Sequence, residues 1–122
     1  MEGVMLDHHS ASPVITSDRV NGTPVFGAGG AQVGVIDHLV IEKISGRITY
    51  AVMSFGGFLG LGQDFYPIPW AALRYDPDLG GYVTGITEDQ LRGAPEHPDD
   101  WTRDRRWEET AHAHFGLPFY WT

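Results

Sequence analysis

Glycine and proline cut this chain into short apolar runs, and that spacing constrains its fold more than any other feature. The sequence holds 16 glycines and 8 prolines in 122 residues, about one position in five, where globular chains average nearer ~12%. No uninterrupted apolar segment is long enough for several turns of buried helix. The runs between the breaks alternate with a period of two. In Val33–Glu42, Val33, Val35, Asp37, Leu39 and Ile41 fall on one face and Gly34, Ile36, His38, Val40 and Glu42 on the other. Arg47–Phe55 separates Ile48, Tyr50, Val52 and Ser54 from Thr49, Ala51, Met53 and Phe55 in the same way. Two-residue alternation places successive side chains on opposite sides of an extended backbone, so these runs are strands. Val33–Glu42 carries apolar residues on both sides and is expected to be covered on both.

The punctuation supplies the turns. Gly27-Ala28-Gly29-Gly30 and Ser45-Gly46 can take the positive φ angles of tight reversals, and Pro77-Asp78-Leu79-Gly80-Gly81 suits a hairpin between Arg74–Asp76 and Tyr82–Gly85. Pro67 confines the Asp64–Ile68 strand to an edge, an end or a bulge. Pro69 opens one helical turn over Trp70–Leu73, and Trp70, directly after a strand, is expected to plug the core. With Thr23–Phe26, about six short strands result. The class is mainly β. Thr87-Glu88-Asp89-Gln90 has the spacing of a capping box and opens a short helix that Gly93-Ala94-Pro95 would end. Trp101–His114 reads as one further helix with a stripe of Trp101, Trp107, Ala111 and Phe115. Leu117-Pro118-Phe119-Tyr120-Trp121 is apolar enough to be expected to dock on the barrel or on another chain.

Composition excludes several functions. With no cysteine there is no disulfide framework, thiol nucleophile or cysteine-ligated metal. The net charge of −8 is divided equally between two parts of the chain, with eight acids and four bases in residues 1–86 and the same in 87–122. Nucleic-acid and anionic-membrane partners, which need clustered Lys and Arg, are therefore not expected. Arg103, Arg105 and Arg106 are interleaved with Asp104, Glu108 and Glu109 and read as a solvated, paired helix face. Neither a signal peptide nor a stretch of ~20 apolar residues is visible, so the expected location is the cytoplasm.

Chemistry-bearing motifs fall short. Gly27-x-Gly29 lacks the third glycine of a dinucleotide loop and leads into a strand, not a helix. Gly57-x-x-x-x-Gly62 is followed by Gln63-Asp64 where a phosphate loop needs lysine and a hydroxyl. Glu109-x-x-His112, with Glu108 and His114 near, is one half of a di-metal pattern. Ser54 sits outside any nucleophile elbow. No catalytic, cofactor or metal site is expected.

In their order and spacing, Gly22 and Val25; Gly34 and Ile36; Gly46-Arg47-Ile48 with Tyr50-Ala51-Val52; Ser54–Gly60; Pro67-Ile68-Pro69-Trp70; Leu73; Tyr75-Asp76; and Gly81-Tyr82-Val83 resemble the PRC-barrel family, known from the photosynthetic reaction-centre H subunit, a ribosome maturation factor and small stand-alone bacterial proteins. The resemblance is nearest to the stand-alone members, sometimes described as stress-related. It implies a small six-stranded barrel that contacts other proteins and carries no common catalytic set. The expected organisation is a flexible tail (1–16), the barrel (17–95) and a C-terminal helical, aromatic extension (96–122).

The expected function is a non-catalytic interaction or structural module, homodimeric, with the Gly-rich Phe55–Gly62 loop and the C-terminal aromatics as contact surface: Phe55, Phe58, Leu59, Leu61, Phe119, Tyr120 and Trp121. The alternative is a small-molecule or metal-binding protein, or a minor enzyme, with Tyr50, Tyr66, His38 or His112 as polar groups of a pocket. The ribosome-linked role of the family is disfavoured by the acidic balance.

Overall fold

The computed structural model describes residues 12–55 and 64–121. The chain divides into two compact units, residues 1–85 and 86–122.

Among the described residues the first unit has helix α1 (Ser17–Val20) and six strands: β1 (Pro24–Phe26), β2 (Gln32–Ile41), β3 (Ile48–Phe55), β4 (Asp64–Pro69), β5 (Leu73–Asp76) and β6 (Gly81–Thr84). They make one sheet in the order β4-β3-β2-β1-β6-β5, antiparallel except where β1 runs parallel to β6. The two edge strands, β4 and β5, are consecutive in the chain, joined by a 3-10 turn at Trp70–Ala72. In a flat sheet those edges would lie about 24 Å apart, five strand spacings, whereas the four Cα steps from Pro69 to Leu73 reach at most about 14 Å. The connection therefore requires the sheet to curl, and a barrel-like wall results.

The inner face follows from the register. Val25 pairs with Gly34 and Tyr82, Ile36 with Met53, and Ala51 with Ile68. Val25, Ile36, Ala51, Met53 and Ile68 are all at most 1% exposed. Two glycines permit the closest strand approaches. A Cβ on Gly34 would lie 2.2 Å from the Ser54 carbonyl oxygen, and one on Gly81 would lie 2.5 Å from that of Pro24. The turns take positive φ at Gly30, Gly46 and Gly80, where a side chain would be strained.

β3 is buried on both faces, but β2 is not, contrary to the expectation from its composition. Only Ile36 is fully buried, while Asp37, His38 and Ile41 are exposed. The three-residue β1 faces β2 only over Gln32–Val35, and the ladder to β3 is interrupted twice, between Ile36 and His38 and between Val40 and Ile41. The distal half of β2 thus runs past its short neighbour. Pro67 sits on β4, an edge strand, as its missing N–H demands.

The second unit contains α2 (Glu88–Arg92), a 3-10 turn (Trp101–Arg103) and α3 (Arg105–Phe115). The capping box at Thr87 is complete: the Thr87 N–H donates to Gln90 Oε1 at 2.8 Å and the Gln90 N–H to Thr87 Oγ1 at 3.1 Å. The expected single helix over Trp101–His114 is divided at Asp104. This residue leaves helical geometry, and its carboxylate accepts from the Trp107 N–H at 3.0 Å, which starts a new helix. The aromatic stripe holds across that break, since Trp101, Trp107, Ala111 and Phe115 are all buried.

Candidate functional site

In the barrel unit, the face of β5 and β6 that carries Leu73, Tyr75 and Tyr82 forms one wall of a cleft of about 340 Å³. Trp70 adds a second wall from the 3-10 turn, with its ring centroid 5.4 Å from that of Tyr82. Tyr75 meets Tyr82 edge to face at 5.2 Å, as expected for directly opposed residues of an antiparallel pair. Ser12, Pro13, Val14 and Ile15 complete the lining. Burial, and secondarily the neighbouring Tyr75 phenol, pushes the Tyr82 hydroxyl above its ordinary range. At neutral pH it is a hydrogen-bond donor and not a phenolate base. A second depression of about 290 Å³ shares Ile15 and Tyr75 and extends past Arg19, Asn21, Thr23 and Gly80. The first depression is mainly aromatic and aliphatic in its lining, and the second, on the other side of Ile15 and Tyr75, is more polar. Such a surface can stack on, and donate hydrogen bonds to, an extended chain or a planar molecule.

Trp70 is half-buried as a wall of this groove, which corrects the expectation of a core plug. Trp70 opens the 3-10 turn that follows β4, where its ring meets that of Tyr82 at a tilt and stays part exposed.

The C-terminal unit gathers its chemistry around His112. Helix α3 ends at Gly116, with φ +70°. The Gly116 N–H donates to the Ala113 carbonyl at 3.2 Å, and the Leu117 N–H to that of His112 at 2.9 Å. This paired C-terminal cap reverses the chain. Pro118 then presents its carbonyl to His112 Nδ1 at 2.9 Å, and because a carbonyl only accepts, Nδ1 carries the proton. The ring is 1% exposed and is contacted by Phe119, Tyr120 and Trp121 at centroid distances of 5.5–6.0 Å. Tyr120 donates to the buried Glu108 carboxylate at 2.7 Å, and Arg105 lies over the Trp121 ring at 3.7 Å.

Burial lowers the His112 pKa from its ordinary 6.5, opposed by the Pro118 hydrogen bond and the Glu108 charge and reinforced by Arg105. A histidine that protonates less readily folded than unfolded contributes stability above the unfolded pKa, and that stability is lost as pH falls below about 6.5. The urea midpoint should therefore be lower at pH 5.5 than at pH 7.5. Part of that difference should disappear in His112→Asn, which keeps a donor for Pro118 without a titrating ring. An unchanged pH dependence in the variant would remove His112 from the account.

The family model described as PRC-barrel domain matches residues 13–91, well over half the chain. The chain belongs to the PRC-barrel family. An uncharacterized protein of Deinococcus radiodurans is 28% identical over 79 residues, covering 65% of this chain. The chain spans only 28% of that relative's length. The crystal structure of a 16S ribosomal RNA processing protein RimM from Pseudomonas aeruginosa matches with 23% identity and a TM-score of 0.42, over 66% of this chain and 48% of that one.

The PRC-barrel chain distributes the residues singled out from sequence. Phe55 is half-buried, its ring edge-on to Tyr66 at 6.2 Å. Phe58, Leu59 and Leu61 lie outside the described residues. Phe119, Tyr120 and Trp121 pack against His112 within their own unit, with Phe119 and Trp121 stacked at 4.7 Å. Tyr50 is 2% exposed and His38 is exposed beside Asp37 at 2.7 Å. Neither these two nor Tyr66 lines the aromatic groove. Ser54 Oγ donates within the sheet to the Val35 carbonyl at 3.5 Å. Glu109 is exposed while His112 is buried, and His114 Nε2 is 2.7 Å from the Gln90 carbonyl. Among the described residues no cluster of three or more His, Asp or Glu could hold a metal, and no helix is long and apolar enough to cross a membrane.

Sequence reasoning missed Tyr75 and Tyr82 as site residues, and Pro13-Val14-Ile15 as their neighbours. The signal available was the short apolar run Pro13-Val14-Ile15 between Ser12 and Thr16.

Proposed function

We propose that this PRC-barrel chain is a non-catalytic protein-interaction module that works without a cofactor and associates with itself. One observation carries the reading: a groove of the barrel unit is walled by the rings of Trp70, Tyr75 and Tyr82. Those groups supply contact area and orientation for a protein segment at low entropic cost. Self-association is supported by two exposed isoleucines at the end of β2 and in the turn after it, Ile41 at 50% and Ile44 at 99% exposure, and by the aromatic character of the Phe55–Gly62 segment.

Two measurements test it. Light scattering across a concentration series should give about twice the chain mass of 13.5 kDa, falling to the single-chain mass in Phe58→Asp with Leu61→Asp. A thermal-shift screen against divalent metals and common metabolites should give no stabilisation. A ligand present at 100 times its Kd would stabilise the fold by about 2.7 kcal/mol, and such a shift would replace this reading with that of a ligand carrier or an enzyme, for which a 340 Å³ cleft is large enough.

A further inference from the structure

We infer that the aromatic groove is a site for an extended, proline-containing aliphatic peptide, and that the chain's own Ser12–Ile15 segment is a displaceable strap across it. The inference rests on the interaction-module reading and names the class of partner.

The occupant's chemistry is given by what already lines the groove. Pro13, Val14 and Ile15 face Trp70, Leu73, Tyr75 and Tyr82. Pro13 fixes its own φ and restricts Ser12 to extended geometry. Thr16, at φ −80° and ψ 150°, has the polyproline II conformation. A stiff extended segment of this kind loses little entropy on docking against aromatic rings, which is the physical basis of proline-rich recognition.

The strap is weakly held. Val14 is 73% and Ile15 37% exposed. The hydrogen bond within the segment, from the Val14 N–H to Ser12 Oγ at 3.2 Å, is local. Among the described residues no backbone hydrogen bond ties Ser12–Ile15 to the sheet; the first backbone tie to a strand after it is from the Gly22 N–H to the Ile36 carbonyl at 2.7 Å. The segment also leaves the cleft of about 340 Å³ unfilled between itself and the rings. A partner peptide that fills this space more completely would displace it, because the strap brings only part of its apolar surface out of water.

The test uses the full chain and a synthetic peptide carrying residues 11–18 of this sequence, with a scrambled peptide as control. Binding is followed by NMR shifts of the Trp70 indole and of the Tyr75 and Tyr82 rings. A strap closed about 90% of the time lowers apparent affinity about tenfold. The variant Val14→Ser with Ile15→Ser should therefore bind the peptide about tenfold more tightly than wild type. Tyr75→Ala, checked for an intact thermal transition, should weaken binding about tenfold or more; if it does not fold, Tyr75→Leu, which keeps apolar bulk against Tyr82 and removes the ring, serves the same purpose. Equal affinity in wild type and strap variant would overturn the strap, and no binding to either at millimolar peptide would overturn the peptide site. A strap variant that binds no peptide but associates more tightly than wild type across the light-scattering concentration series would overturn it in favour of a second copy as occupant. None of these failures touches the thermal-shift screen or the wild-type light-scattering mass, which test the broader reading.

Discussion

Gly34→Ala is expected to destabilise the barrel by about 3 kcal/mol or more, lowering Tm by about 10 °C. The added Cβ would lie 2.2 Å from the Ser54 carbonyl oxygen and 2.7 Å from Met53 Cε. The methionine tip can swing away, but the oxygen belongs to the backbone of β3, which is hydrogen-bonded to β2 on one side and β4 on the other. Relief requires those central strands to part, with loss of ladder bonds beside Ile36 and Met53, both at most 1% exposed. Gly29→Ala supplies the control. Its Cβ would meet nothing within 4 Å, and its φ is not positive, so Tm should stay unchanged or rise slightly, because alanine restricts the unfolded chain. Thermal unfolding by circular dichroism of the two variants, made in parallel, decides the matter. A Gly34→Ala protein that melts with wild type would show that the β2–β3 contact is not as close as described.

Trp107→Ala should cost about 3–5 kcal/mol and should abolish the tertiary structure of the C-terminal unit. Helix α3 is mostly charged and polar, and its buried apolar side chains are Trp107, Ala111 and Phe115. Trp107 is 7% exposed and packs on Trp101 at 5.1 Å and on His97 at 6.4 Å, so one substitution removes the largest of three anchors. An 11-residue helix is too short to persist in water without such contacts. The near-ultraviolet circular dichroism of the indoles reports the loss directly. Trp121→Ala, at a half-buried position facing Arg105 and His112, should cost less, about 1–2 kcal/mol. If Trp107→Ala retained its indole signal and melted within 2–3 °C of wild type, another contact would have to be holding the helix.

Local rules made much of this legible. The reversals at Gly30 and Gly46 follow from backbone freedom at those positions, the edge placement of Pro67 from its missing donor, and the start of α2 from the reciprocal bonds of Thr87 and Gln90. The order of elements in the barrel unit follows from the same short-range signals. The Asp104 break was less visible, because a charged residue in a charged segment looks helical until its carboxylate is seen to accept from Trp107. The exposure of the distal half of β2 was hidden for a related reason: alternation tells which residues share a face, but not whether a neighbouring strand is long enough to cover them.

The aromatic groove lay beyond reach of the sequence altogether. Trp70, Tyr75 and Tyr82 sit in three separate local elements, and Pro13-Val14-Ile15 lies more than fifty residues before the first of them. The sequence determined that this chain makes short strands with defined turns and belongs to the PRC-barrel pattern, because glycine, proline and alternation act within a few residues. Only the tertiary structure decided that the sheet curls and that one face of the β5–β6 hairpin meets the leading segment. Those are long-range pairings, governed by a three-residue link between opposite sheet edges and by close approaches at Gly34 and Gly81 that no local window contains.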